Sequence, residues 1–219
     1  MKAILFGTLA AFSLSAKEPP KWIYEESVNG QQIQTLWYEE KKGDELLLEG
    51  QNSKSLITIR CSDEFVIDKI KYVNKKGEIP QEYTCQRKGS SLYVTSLFGD
   101  RKIEKNFKIG NSAWVQEFGF GLRPFVQSEY RSYKFSIINP KDFTLNALVA
   151  KKERIELITL NAQTYKAQKI KITLQGFKSM FWTAHAWFDT VSGNLLMYRG
   201  NKGPNTPTTI ITLLEEKAL

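Results

Sequence analysis

Apolar and polar residues alternate along most of this chain in short runs, broken by turn signals at intervals of about ten residues, the pattern of an antiparallel meander. Ile57, Ile59 and Cys61 share one face of a run, with Thr58 and Arg60 on the other. Tyr133, Phe135 and Ile137 repeat the pattern, as do Ile170, Ile172 and Leu174 against Lys169, Lys171 and Thr173. Half-buried strands of this kind suit a sheet with one face on a core. Asn29-Gly30 between Trp22–Tyr24 and Ile33–Tyr38 marks a tight hairpin. Further strands are predicted at 46–48, 56–61, 65–73, 82–87, 91–98, 102–109, 131–138, 144–150, 154–160, 164–174 and 208–214. Turns are expected at Lys75-Lys76-Gly77, Gly99-Asp100, Asn139–Asp142 and Lys151-Lys152-Glu153.

Two stretches depart from the plain meander. Between Asn111 and Gln127, Trp114, Phe118, Leu122 and Phe125 recur at roughly helical spacing, with Pro124 placed to end or kink the segment. Gly119 and Gly121 weaken the helix, so a short apolar helix or aromatic plug near 112–127 is expected, packed on the sheet. In Met180–Thr212, Trp182, Ala184, Ala186 and Phe188 fall on one face of a strand and Thr183, His185 and Trp187 on the other. Thr190–Asn194 turns that strand into Leu195–Gly200, and the Gly- and Pro-rich Gly200–Pro207 returns the last strand. The expected fold is mainly β, a curved antiparallel sheet or incomplete barrel with one helical plug, forming one domain over 17–219.

The first residues, a lysine followed by an apolar run and then Ser13, Ser15 and Ala16, read as a secretory signal peptide over 1–16. The run is too short for a membrane anchor. The first cysteine is Cys61, so attachment of lipid at a lipobox is not expected, and the mature chain is placed in the periplasm. In that oxidising compartment Cys61 and Cys85, the two cysteines of the sequence, are expected to form a disulfide. A formal charge of +8 is spread along the strands rather than gathered in one arm. Export argues against nucleic acid. The charge suits peripheral contact with anionic lipid or an acidic partner, or simply solvates the open face. Lys169 and Lys171 at mid-strand argue against an outer-membrane barrel.

Catalytic chemistry has little to build on. One histidine, His185, lies mid-strand with no nucleophile elbow, and the paired acids Glu25-Glu26, Glu39-Glu40 and Asp63-Glu64 point to opposite faces of their strands. Gly119-Phe120-Gly121 lacks the dinucleotide spacing. No enzyme activity, cofactor or metal site is expected. Thirteen Phe, nine Tyr and five Trp instead form either a solid core or the lining of a cavity for a lipid, acyl chain or lipoprotein. In the cavity reading Trp182, Ala184, Ala186 and Phe188 line the wall, and Trp114 and Phe118 close it. The alternative is an envelope scaffold with a solid core that docks on a protein partner.

The closing pattern W-x-A-x-A-W-F-D-x-x-x-G-x-L-L-x-Y-R-G over Trp182–Gly200, together with the signal peptide, the long meander and the apolar break, resembles exported, largely uncharacterised bacterial proteins related to the lipoprotein-localisation half-barrels. That resemblance implies an incomplete barrel around a hydrophobic cavity, with Trp114–Phe125 as its lid or plug.

Overall fold

A computed structural model describes residues 20–75, 82–98, 100–201 and 206–217. The expected leader over 1–16 lies outside the described residues, as do parts of the turns at 75–77, 99–100 and 200–207. The strands are β1 (Trp22–Val28), β2 (Gln31–Lys42), β3 (Glu45–Gln51), β4 (Ser55–Ser62), β5 (Ile67–Asn74), β6 (Glu82–Lys88), β7 (Ser91–Phe98) and β8 (Arg101–Lys108). After the short β9 (Ala113–Trp114) and helices α1 (Phe118–Gly121) and α2 (Arg123–Gln127) come β10 (Ser132–Ile138), β11 (Leu145–Leu160) and β12 (Gln163–Leu174). A 3-10 turn over Gly176–Met180 then leads to β13 (Thr183–Asp189), β14 (Leu195–Asn201) and β15 (Thr208–Glu216).

All of these strands form one sheet in the order β8-β7-β6-β5-β4-β3-β2-β1-β15-β14-β13-β12-β11-β10-β9. Each neighbour in the sheet is a neighbour in sequence, except at the middle. There β1 pairs antiparallel with β15, from Trp22 opposite Glu216 to Val28 opposite Thr209. This seam joins two meanders, one running outward to β8 and the other to β9. The sheet is curved but does not close, because β8 and β9 share no ladder. Side chains span the gap instead. Lys105 donates to Asp142 O (2.7 Å) and Phe143 O (3.2 Å), Arg87 reaches Gly110 O and Ser112 O (3.2 Å each), and Phe143 packs edge-on against Tyr83 at 5.7 Å.

Local chemistry accounts for the turns. Asn29 and Gly30 both have positive φ (49° and 76°), the geometry of a two-residue hairpin whose twist matches the flanking strands. Asn161-Ala162 repeats it between β11 and β12 (50° and 64°). The turn expected at Lys151–Glu153 is instead a bulge between Lys152 and Ile155 inside the single strand β11. Three charged residues without Gly, Pro, Asn or Asp have no means of reversing the chain, whereas an extra residue in a strand only bends it.

The inward faces align into layers. Leu48, Ile59, Ile70, Cys85 and Val94 face one another across five consecutive strands, and all are buried. That geometry overturns the expected disulfide. Cys61 and Cys85 are free thiols on β4 and β6, with β5 between them. Two strand spacings come to about 9.5 Å, beyond the span a disulfide bridges. Both cysteines do point into the core, but on strands that never touch.

Burial pushes both thiols up to about 12, and the Glu39 carboxylate adds to the effect at Cys61. A folded-state value above the ordinary thiol range leaves very little thiolate at pH 8. Alkylation of the folded protein is therefore expected to be at least about a thousandfold slower than of a free cysteine. Mass measurement after alkylation in denaturant, without reductant, should show two thiols; finding none would restore the disulfide. A second expectation concerns Gly50, opposite Trp37 on β2, where a Cβ would lie 2.6 Å from the indole ring. Gly50→Ala should lower unfolding stability by about 1–3 kcal/mol in urea titrations.

A candidate ligand cleft at the mouth of the half-barrel

The concave face is occupied by the segment from β9 to α2. β9 pairs parallel with β10 through Ala113 and Trp114. Gln116 prolongs the ladder with its side chain, donating from Nε2 to Ile138 O (2.8 Å) and accepting from Ile138 N (3.1 Å). The glycines that weaken a helix allow close approach here. A Cβ at Gly121 would stand 2.9 Å from Val115 and 3.1 Å from Ile67, and one at Gly119 would stand 3.3 Å from Leu195. Pro124 lies in the first turn of α2, where its missing N–H costs nothing, so it opens a helix rather than ending one.

The plug meets both halves of the sheet. Phe120 packs against Trp37 (4.7 Å), Trp22 (5.5 Å) and Phe65 (6.3 Å). Phe118 packs against Phe135 (6.0 Å) and Tyr198 (6.1 Å), and Phe125 stacks on Tyr133 at 5.3 Å. Ala150, Ala184 and Ala186 are fully buried on the same wall, small side chains where the plug is large. Of the six residues expected to line a cavity, Ala184, Ala186 and Phe188 have no exposed surface and Trp114 almost none, so no water-sized void touches the first three. Phe118 is half-buried against this core and Trp182 half-buried with its Nε1 donating to Asn201 O at 2.8 Å. Ala184, Ala186 and Phe188 thus share one buried face of β13.

The other face of β13 carries Trp187, which donates to the Glu156 carboxylate beneath the Lys169 ammonium, 5.2 Å from its ring. His185 lies beside it on the outside of the sheet, Nε2 4.0 Å from Glu153. Partial burial and the Lys169 charge hold its pKa below the ordinary histidine value.

Space lies at one end of the half-barrel, where β1 and β3 begin, β2 and β15 end, and the β4–β5 and β13–β14 loops meet. A cleft of about 340 Å³ is lined there by Lys21, Trp22, Glu39, Lys41, Leu46, Asp63, Phe65, Arg123, Ser192, Asn194 and Glu216. Sequence reading missed all of these residues except as strand ends. Arg123, the first residue of α2, is only 3% exposed. Its guanidinium carbon lies 4.2 Å from the Phe65 ring, 4.7 Å from Trp22 and 4.9 Å from Phe120. Nε donates to Gly119 O at 3.3 Å, while Nη2 is buried with no hydrogen-bond partner among the described residues. Burial lowers the Arg123 pKa, and Tyr24, Glu39, Glu216 and Cys61 act in the opposite direction. Tyr24 gives its proton to Leu195 O (3.0 Å), and its oxygen also hydrogen-bonds the Arg123 side chain. The signal that could have revealed Arg123 is its isolation, since Glu117 is the one other charged residue in 114–127.

The cleft carboxylates are each engaged. Glu39 accepts from Lys21 Nζ at 2.5 Å. Glu216 accepts from Asn194 Nδ2 and, at 3.4 Å, from Trp22 Nε1, and Asp63 lies 4.0 Å from Lys41. Among the described residues no helix is long and apolar enough to cross a membrane.

The half-barrel has counterparts among solved structures. The chain is similar to a β-barrel-like protein of a domain of unknown function, DUF1849, from Brucella abortus, with a TM-score of 0.59 at 7% identity, covering 92% of this chain and 98% of that one. It is also similar to the hypothetical lipoprotein YmcC from Escherichia coli (K12), with a TM-score of 0.46 at 12% identity, covering 93% of this chain and 88% of the other. No family model matches the sequence, and no curated protein is significantly similar to it. What is shared with the first structure is the fold, a barrel-like sheet found in bacterial proteins of unknown function, which is the coarser part of the resemblance drawn from sequence.

The plug's place in the core gives a stability expectation. Phe120→Ala removes one ring that three others enclose and should cost about 3–5 kcal/mol in chemical denaturation, against less than about 1 kcal/mol for an exposed change such as Val191→Ala.

Proposed function

We propose that this is a non-enzymatic binding protein of the bacterial envelope, exported to the periplasm, that takes a hydrophobic or amphiphilic envelope component at the mouth of its half-barrel. Lipids, free acyl chains and the acyl groups of lipoproteins are the ligands considered. The observation that carries this reading is the cleft itself. It opens to solvent directly beside the sealed core, its volume of about 340 Å³ suits a small ligand, and Trp22, Leu46 and Phe65 offer apolar surface among its polar rim. Ligand would rest on this floor and leave the plug in place. Half-barrel carriers of acyl chains offer a precedent in architecture, with the cavity moved from the interior to the rim.

A scaffold role is the second reading. It draws support from the solid core and from Phe177, Met180 and Phe181, which are 76%, 81% and 63% exposed at the opposite end of the sheet. Titration with a fluorescent fatty acid separates the two. Ser192→Trp, which narrows the cleft while keeping the backbone turn capped by Asp189, should weaken binding by at least about tenfold. Trp182→Ala, remote from the cleft, and the pair Phe177→Ser with Phe181→Ser should each leave it within about twofold. Loss of binding in the Trp182 variant with none in Ser192→Trp would put the ligand back in the interior, and loss in the Phe177 and Phe181 pair would place the contact at the other end.

A further inference from the structure

We infer that the cleft recognises an anionic oxygen group, a phosphate or a carboxylate, through the edge of the Arg123 guanidinium. The inference rests on the cleft being the binding site. An arginine keeps its proton at any pH the protein meets, so Arg123 is a buried cation even though burial disfavours its charge. Three rings surround it, Phe65, Trp22 and Phe120 all lying within 5 Å of the guanidinium carbon. Such contacts offset part of the cost of burial but engage no N–H. Of its nitrogens, Nε donates to Gly119 O, the guanidinium also hydrogen-bonds the Tyr24 oxygen, and Nη2 alone is buried without an acceptor among the described residues. Leaving a charged donor buried and unpaired is costly.

No carboxylate of the cleft takes up this role. Glu39 and Glu216 attract the guanidinium electrostatically, yet Glu39 is held by Lys21, and Glu216 by Asn194 and Trp22. The unmatched group in the cleft is thus a cation. A guanidinium held among three rings, with a buried Nη2 unpaired at the cleft wall, suits an acceptor oxygen of the kind carboxylate and phosphate both supply. Trp22, Leu46 and Phe65 then lie where an attached apolar chain would continue.

The test is calorimetric titration of the full-length protein with dodecanoate, dodecyl phosphate, monolauroylglycerol and inorganic phosphate, all below micelle-forming concentrations. Dodecanoate and dodecyl phosphate are expected to bind at least about tenfold more tightly than monolauroylglycerol. Arg123→Met should abolish that preference. Because Arg123 is part of the core, Ser192→Asp serves as the second variant, placing a negative charge on the rim without touching the plug. It should weaken the two anionic chains by at least about threefold and leave the neutral one unchanged. Equal binding of neutral and anionic chains overturns the inference while the mouth remains the binding site. Inorganic phosphate binding as tightly as dodecyl phosphate, and lost in Arg123→Met, supports the anion site but removes the apolar chain, and with it the amphiphile reading. Absence of binding by every probe overturns both.

Discussion

The fold depends on filling the concave side of a sheet too wide to fill itself. Fifteen strands among the described residues curve around an interior whose wall on β11 to β13 sets the small Ala150, Ala184 and Ala186 among larger aliphatics. Without the segment from Trp114 to Val126 the wall would expose apolar surface to water, and each enclosed ring in that segment contributes about 1.5–3 kcal/mol by its burial. Phe120 and Phe118 of this filling reach different halves of the sheet. The first packs on the N-terminal meander and the second on the C-terminal one, so the plug clamps two halves that the sheet joins only along the β1–β15 seam.

The plug also creates the site. Arg123 follows the packed helix α1 by two residues, so its side chain is carried into the core and ends beneath the mouth of the half-barrel. A lysine there would lack the planar group that three aromatic rings surround. The same packing that seals the interior thereby leaves one charged edge unsatisfied at the rim, beside a cleft with an apolar floor. Sealing the core and building the cleft are consequences of one arrangement.

Much of the sheet was legible because period-two alternation and Asn-Gly turn chemistry are local. Strands β4, β7, β12 and β15 lie within two residues of their expected bounds. The plug was legible as an interruption of that period. Tertiary relations were not. Alternation placed Cys61 on a buried face and Cys85 on a strand nearby in sequence but gave no account of β5 standing between them. The β1–β15 seam pairs residues about two hundred positions apart, for which no local pattern exists. Trp182, Ala184, Ala186 and Phe188 were recognised as a wall, while what the wall faces depended on how deeply Gly119 and Gly121 let the plug approach. The cleft escaped notice because its residues come from seven separate elements and loops, each unremarkable alone.

The account stands on the plug being a fixed part of the core rather than a lid. Amide hydrogen exchange across Val115–Val126, with and without a saturating anionic amphiphile, tests this most directly. Exchange as slow as that of the central strands β1 and β15, and unchanged by ligand, is the result expected. Fast exchange in the free protein, or loss of protection when ligand is added, would mean that the segment leaves the concave face to admit the ligand, and would contradict the account.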